Sequence, residues 1–111
     1  MSRRVAIHKA GSYDRLQIES FDPGSPGPGE VLIAVRATGV NYADCMVRMG
    51  LYQSAKDFVG WPITPGFEVA GIVEAVGANV DDLGVGDEVI AVTLFNGYAS
   101  HVVTRRDYVF R

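Results

Sequence analysis

Two stretches of the 111-residue sequence hold side chains able to do chemistry. The first, TGVNYADCMVRMGLY (Thr38–Tyr52), packs an amide (Asn41), two phenols (Tyr42, Tyr52), a carboxylate (Asp44), a thiol (Cys45), a thioether (Met46) and a guanidinium (Arg48) into one short segment. The second, ITPGFEVAG (Ile63–Gly71), places Glu68 directly after Phe67 among glycines and aliphatics. An unpaired charge in such a run is costly. Glu68 therefore reaches solvent, pairs with a cation such as Arg48, or serves a site, and the sequence leaves all three open.

Other chemistries find less support. Zinc needs Cys, His or carboxylate ligands in a tetrahedral array. The sequence has Cys45, His8 and His101 but no Cys-x-x-Cys or His-x-x-x-His spacing. His8 and His101 fall in strand-like runs and read as partnered structural histidines. Cys45, with no neighbouring His or Lys to lower its pKa, reads as a small packed hydrophobe. Gly84-Val85-Gly86 lacks the third glycine of a dinucleotide fingerprint and leads into a strand rather than a helix, so it reads as a turn. By composition Tyr42, Tyr52 and Trp61 read as core or interface aromatics.

The elements that must position these residues follow from period-two alternation. Val5 and Ile7 share a face, as do Leu16 and Ile18; Val31, Ile33, Val35 and Ala37 face one way in EVLIAVRA. EVAGIVEAVG, DEVIAVTLF and GYASHVVT predict three more strands. Asp22–Glu30, with three of the five prolines and three glycines, predicts a tight, rigid connection, and Asp81, Asp82, Asp87 and Glu88 a solvated turn. Asn41 is a good N-cap for a helix over Tyr42–Met49 that Gly50 stops. The fold expected is mostly β: one domain, a small, partly open β-barrel with one or two short helices.

Charge and hydropathy limit the partners. A net charge of −3 without a basic stripe argues against nucleic acid or an anionic membrane surface. The longest apolar run, Val31–Val35, is far too short for a transmembrane segment. The basic start is not followed by a signal-peptide core. One cysteine allows no internal disulfide, and a cytoplasmic location is expected.

Taken together, TGVNYADCMVRMGLY, PITPGFEVAGIVEAVG, GDEV and GYASHVV resemble, in matching order, the N-terminal GroES-like catalytic domain of medium-chain dehydrogenases/reductases. Within that family they are most similar to the zinc-independent quinone oxidoreductases (the zeta-crystallin group), nearest the branch of synaptic-vesicle amine-transport protein homologues. In the family's zinc enzymes the first metal ligand is the cysteine of Gly-x-Cys-x-[Ser/Thr]-Asp. Here Gly39-Val40-Asn41-Tyr42-Ala43-Asp44 carries an asparagine there and Ala43 in place of the relay hydroxyl. The second ligand, from Gly-His-Glu, is replaced in Gly66-Phe67-Glu68. An amide and a phenyl ring do not hold zinc.

The resemblance implies NADPH-dependent reduction of a small-molecule quinone or α,β-unsaturated carbonyl in a cleft between two domains. Asn41 and Tyr52 would be the catalytic donors, with Asn41 also beside the nicotinamide. Tyr42, Met46 and Phe67 would line the substrate pocket, and Asp44, Arg48 and Glu68 would support it. Met46 departs from the tyrosine many quinone reductases carry there, and QSAKDFVGWPI lengthens the loop over the cleft. The resemblance further implies a Rossmann domain, absent from this chain, that binds most of the cofactor, and a homodimer in the full-length form. The surface that domain covers is expected to be apolar, and the 111-residue piece inactive alone. A non-enzymatic lipid- or partner-binding protein of the same fold is the alternative. The site-like motifs argue against a free-standing GroES-like assembly module.

Overall fold

The structure, a computed structural model, describes residues 2–111. Its centre is an antiparallel sheet of five strands in the order β6-β3-β4-β5-β7: β3 (Glu30–Thr38), β4 (Glu68–Val76), β5 (Glu88–Val92), β6 (His101–Arg105) and β7 (Val109–Phe110). A hairpin of β1 (Arg3–Ala6) and β2 (Gln17–Ser20) stands apart and is stitched on by bridges between Arg4 and Ala99 and between Ile7 and Ile63. Two short helices, α1 (Tyr42–Arg48) and α2 (Gln53–Phe58), fill the connection from β3 to β4. The result is a mostly β, curled and half-closed barrel, as the alternation predicts.

Alternation sets the main core. Val31 and Ile33 of β3 are fully buried and meet Val69 and Val73 of β4, Val89 and Ala91 of β5, Val102 and Val109. Full burial of each such side chain stabilises by about 1.5–3 kcal/mol. A second, smaller core joins Ile7, Val47, Ala55 and Ile63, with Tyr52, Phe67 and Phe95 packed against it. It lies under the two helices. Residues with possible chemistry thus sit on the smaller core.

Several expectations change. Leu16 and Ile18 do share a face, but it points to solvent, with Ile18 70% exposed. His8 lies past the end of β1 instead of inside a strand, and pairs there with Glu19. The lengthened loop is partly helical: α2 buries only Ala55, too weak a periodic signal to stand out, and is braced by a 2.9 Å hydrogen bond from Gln53 to Asp57. The two-residue strand β7 was not anticipated, because so short a run has no period. On the outer face of β5 and β7, Ile90, Val92 and Phe110 stand exposed beside Ala37 and Ala70 and line a groove. Among the described residues no helix is long and apolar enough to cross a membrane.

Candidate active site

Local chemistry builds the site from the end of β3. Asn41, in extended conformation, caps α1, and Gly50, at φ 76°, occupies the left-handed position that ends it. The Asp44 carboxylate turns back along the helix so that its Oδ2 accepts the Asn41 backbone N–H at 2.9 Å. The same oxygen accepts the Tyr98 hydroxyl at 2.7 Å. Asp44 is only 5% exposed, and its Oδ1 is buried with no hydrogen-bond partner among the described residues. None of these contacts uses the Asn41 side-chain NH2, and Asn41 itself is exposed. A fixed cap therefore presents an uncommitted amide donor.

Tyr52, the N-cap of α2, packs its ring edge-on against Phe67 (5.6 Å between centroids) and Phe95 (6.3 Å), which are themselves 5.6 Å apart. Such pairs are worth about 0.5–1.5 kcal/mol each beyond burial. The Tyr52 hydroxyl makes no hydrogen bond among the described residues, so its phenol is available to a ligand while its ring is held.

Phe67 is delivered by a loop zipped to its neighbour. Asn96, Gly97 and Tyr98 donate backbone N–H groups to the carbonyls of Thr64, Gly66 and Pro65, and the Thr93 hydroxyl donates to Gly66 at 2.8 Å. The loops approach so closely that a Cβ on Gly66 would lie 2.7 Å from Gly97 Cα and Tyr98 N.

The remaining expected residues divide. Arg48 ties α1 to the N-terminal region by donating from Nε to the Gly11 carbonyl at 3.1 Å; it makes no pair with Glu68. Glu68 is exposed, and its carboxylate lies over Gly39, where a Cβ would come within 2.1 Å of Oε1. Tyr42 is 78% exposed and joins no ring cluster, while Met46 is half-buried on α1. Gly84-Val85-Gly86 forms the turn expected, with the Gly84 N–H held by Asp87 at 2.9 Å. Cys45 is free and half-buried, and His101 lies on β6 with Nε2 3.4 Å from Glu74. Phe95 and Tyr98 went unmarked as site residues. The Asn96-Gly97 turn signal in LFNGY could have revealed the sharp reversal that brings both aromatics back toward α1.

Burial, and then the hydrogen bond to Asp44, push the Tyr98 phenol well above the usual tyrosine value of about 10. Folding raises this pKa, so the pair's stabilising effect is whole below about pH 10 and is lost as pH rises beyond it. In an absorbance titration of phenolate, Tyr98 should give a late step, above the usual tyrosine range. Tyr98→Phe should delete the late step alone; an unchanged late step would show that the phenol is not held.

Residues 27–109 match the alcohol dehydrogenase GroES-like domain family. The chain is an alcohol dehydrogenase GroES-like domain. It is 45% identical over 92 residues to the synaptic vesicle membrane protein VAT-1 homolog of Rattus norvegicus, covering 81% of this chain and 22% of the relative. The Escherichia coli quinone oxidoreductase complexed with NADPH superposes with a TM-score of 0.89 at 31% identity, over 97% of this chain and 32% of that one. The CurK enoyl reductase gives 0.90 at 33%, over 98% and 34%. The GroES-like domain thus spans about a fifth to a third of these three relatives, and they place it in the VAT-1/quinone oxidoreductase branch of medium-chain dehydrogenases/reductases.

Proposed function

We propose that this GroES-like domain is the substrate-side half of an NADPH-dependent, zinc-free reductase of quinones or α,β-unsaturated carbonyls. The observation that carries the reading is Asn41: an exposed amide whose NH2 is uncommitted among the described residues, on a cap locked by buried Asp44. The residues do not fit zinc, because an amide and a phenyl ring stand where the family resemblance puts metal ligands, and among the described residues no three His, Cys, Asp or Glu gather. They fit the nicotinamide end of a dinucleotide, since Asn41 can both donate and accept, but the turn at Gly84–Gly86 is no phosphate cradle.

When bound, the cofactor supplies the hydride. The chain supplies the rest. Asn41 and Tyr52 donate hydrogen bonds to the carbonyl oxygen as it gains negative charge, which conjugation also spreads. Phe67 and Phe95 offer an apolar wall to a flat substrate and exclude water. Most of the cofactor would rest on a Rossmann domain elsewhere in a longer protein, which fits the share of its relatives this chain spans.

A second reading, a non-enzymatic protein that binds lipid or a partner, draws on the exposed apolar side chains around the helices: Tyr42 at 78%, Leu51 at 61% and Phe58 at 82%. One assay separates the two. The longer protein, given NADPH with a quinone or an enone, should consume the reduced nicotinamide, and the 111-residue chain alone should not. NADPH binding without turnover of either substrate would favour the second reading. Turnover by the short chain would overturn the division of labour.

A further inference from the structure

We propose that the cleft between the β1–β2 hairpin and β6 binds a small carboxylate, with Arg4 as its anchor. The cleft has a volume of about 230 Å³ and is lined by Arg4, Phe21, Asp22, Thr64, Asn96 and His101, among others. None of the residues assigned to the candidate active site lines it.

Arg4 lacks the partners that several other arginines of this chain hold. Arg105, Arg106 and Arg111 pair with Asp107, Asp82 and Asp87, and Arg48 donates to a carbonyl. The Arg4 guanidinium pairs with nothing among the described residues, and its Nε is buried without a partner. Its position is nevertheless fixed: the backbone bridges Ala99, and the guanidinium carbon lies 5.2 Å from the centroid of the Phe21 ring. An oriented planar fork with an open charge matches a carboxylate, which it meets through two parallel hydrogen bonds.

The rest of the lining narrows the ligand. Thr64, only 4% exposed, and Asn96 offer a hydroxyl and an amide that make no side-chain hydrogen bond among the described residues. His101 is already engaged, with Nε2 facing Glu74 and Nδ1 within 3.0–3.2 Å of the Ser100 and Ser2 hydroxyls. Asp22 also lines the cleft, although its Oδ1 accepts the Gly24 N–H at 2.8 Å. One free cation beside one carboxylate disfavours a dianion such as phosphate and suits a monoanion. The volume, below the usual range of about 300–1,000 Å³ for ligand pockets, suits a ligand of few atoms.

Acetate is the probe, titrated into the 111-residue chain against chloride at matched ionic strength, with the Arg4 Nε–H followed by nitrogen-resolved NMR. The expected result is a saturable shift at Arg4 and at the Thr64 and Asn96 signals, with phosphate binding more weakly. Arg4→Gln should weaken acetate by roughly tenfold or more, the loss of one charge-assisted pair. Arg4→Lys, which keeps a cation over Phe21 but lacks the fork, gives the same comparison if the glutamine variant does not fold. Shifts that grow linearly and equally with chloride overturn the site. So does undiminished acetate binding in both variants, and tighter binding of phosphate overturns the carboxylate assignment.

Discussion

Gly66→Ala is expected to lower the melting temperature by roughly 12 °C or more, on the scale of about 4–8 °C per kcal/mol for a domain near this size. The new methyl would run into the Gly97–Tyr98 backbone, at 2.7 Å from Gly97 Cα, 2.7 Å from Tyr98 N and 2.8 Å from Gly97 C. No side chain can swing away to make room. Overpacking of that kind costs about 1–3 kcal/mol. Gly66 also sits at φ 113°, a conformation that costs a residue with a Cβ a further ~1–3 kcal/mol. Gly84→Ala is the control, since nothing lies within 4 Å of its added Cβ and its φ is ordinary; a change within about 0.5 kcal/mol is expected. Thermal unfolding of both variants checks this. If Gly66→Ala melts like Gly84→Ala, the close approach of the two loops is not real.

Under the proposed function, Asn41→Ala in the longer protein should lower kcat/KM by about 10²–10³-fold, the cost of removing a donor aimed at developing negative charge. The loss should fall mainly on kcat, because the bond matters most in the transition state. Structure should survive: the hydrogen bond to Asp44 comes from the Asn41 backbone, which alanine keeps, and a lost cap costs only about 1 kcal/mol. Asn41→Asp should do no better, since a carboxylate repels the same charge. Steady-state kinetics with a quinone, beside melting curves, separates the effects. A variant that melts normally and keeps kcat would falsify the role of the amide.

Much of this was legible in the chain because the physics was local. Alternation over Glu30–Thr38 and Glu68–Val76 specified two strands, since one face of each must be buried. Asn41 and Gly50 bounded α1 because capping and left-handed backbone are properties of single residues. The aromatic contact of Tyr52 with Phe95 and the grip of Tyr98 on Asp44 were not legible. Both join residues far apart in sequence, through a loop reversal at Leu94 and Asn96 whose positive φ angles neither residue type demands. Glu68 was ambiguous for the same reason: its surroundings depend on Gly39, which touches it only once β3 and β4 are paired.

The division of the interior into two apolar clusters has a mechanical consequence. The sheet interior gathers ten buried residues, whereas the patch beneath the helices has four. Cooperative opening follows buried contacts, so the helical flap can breathe as its own foldon while the strands stay shut. The amide and the phenol ride on that smaller unit, so they would move together, as one body, when it opens.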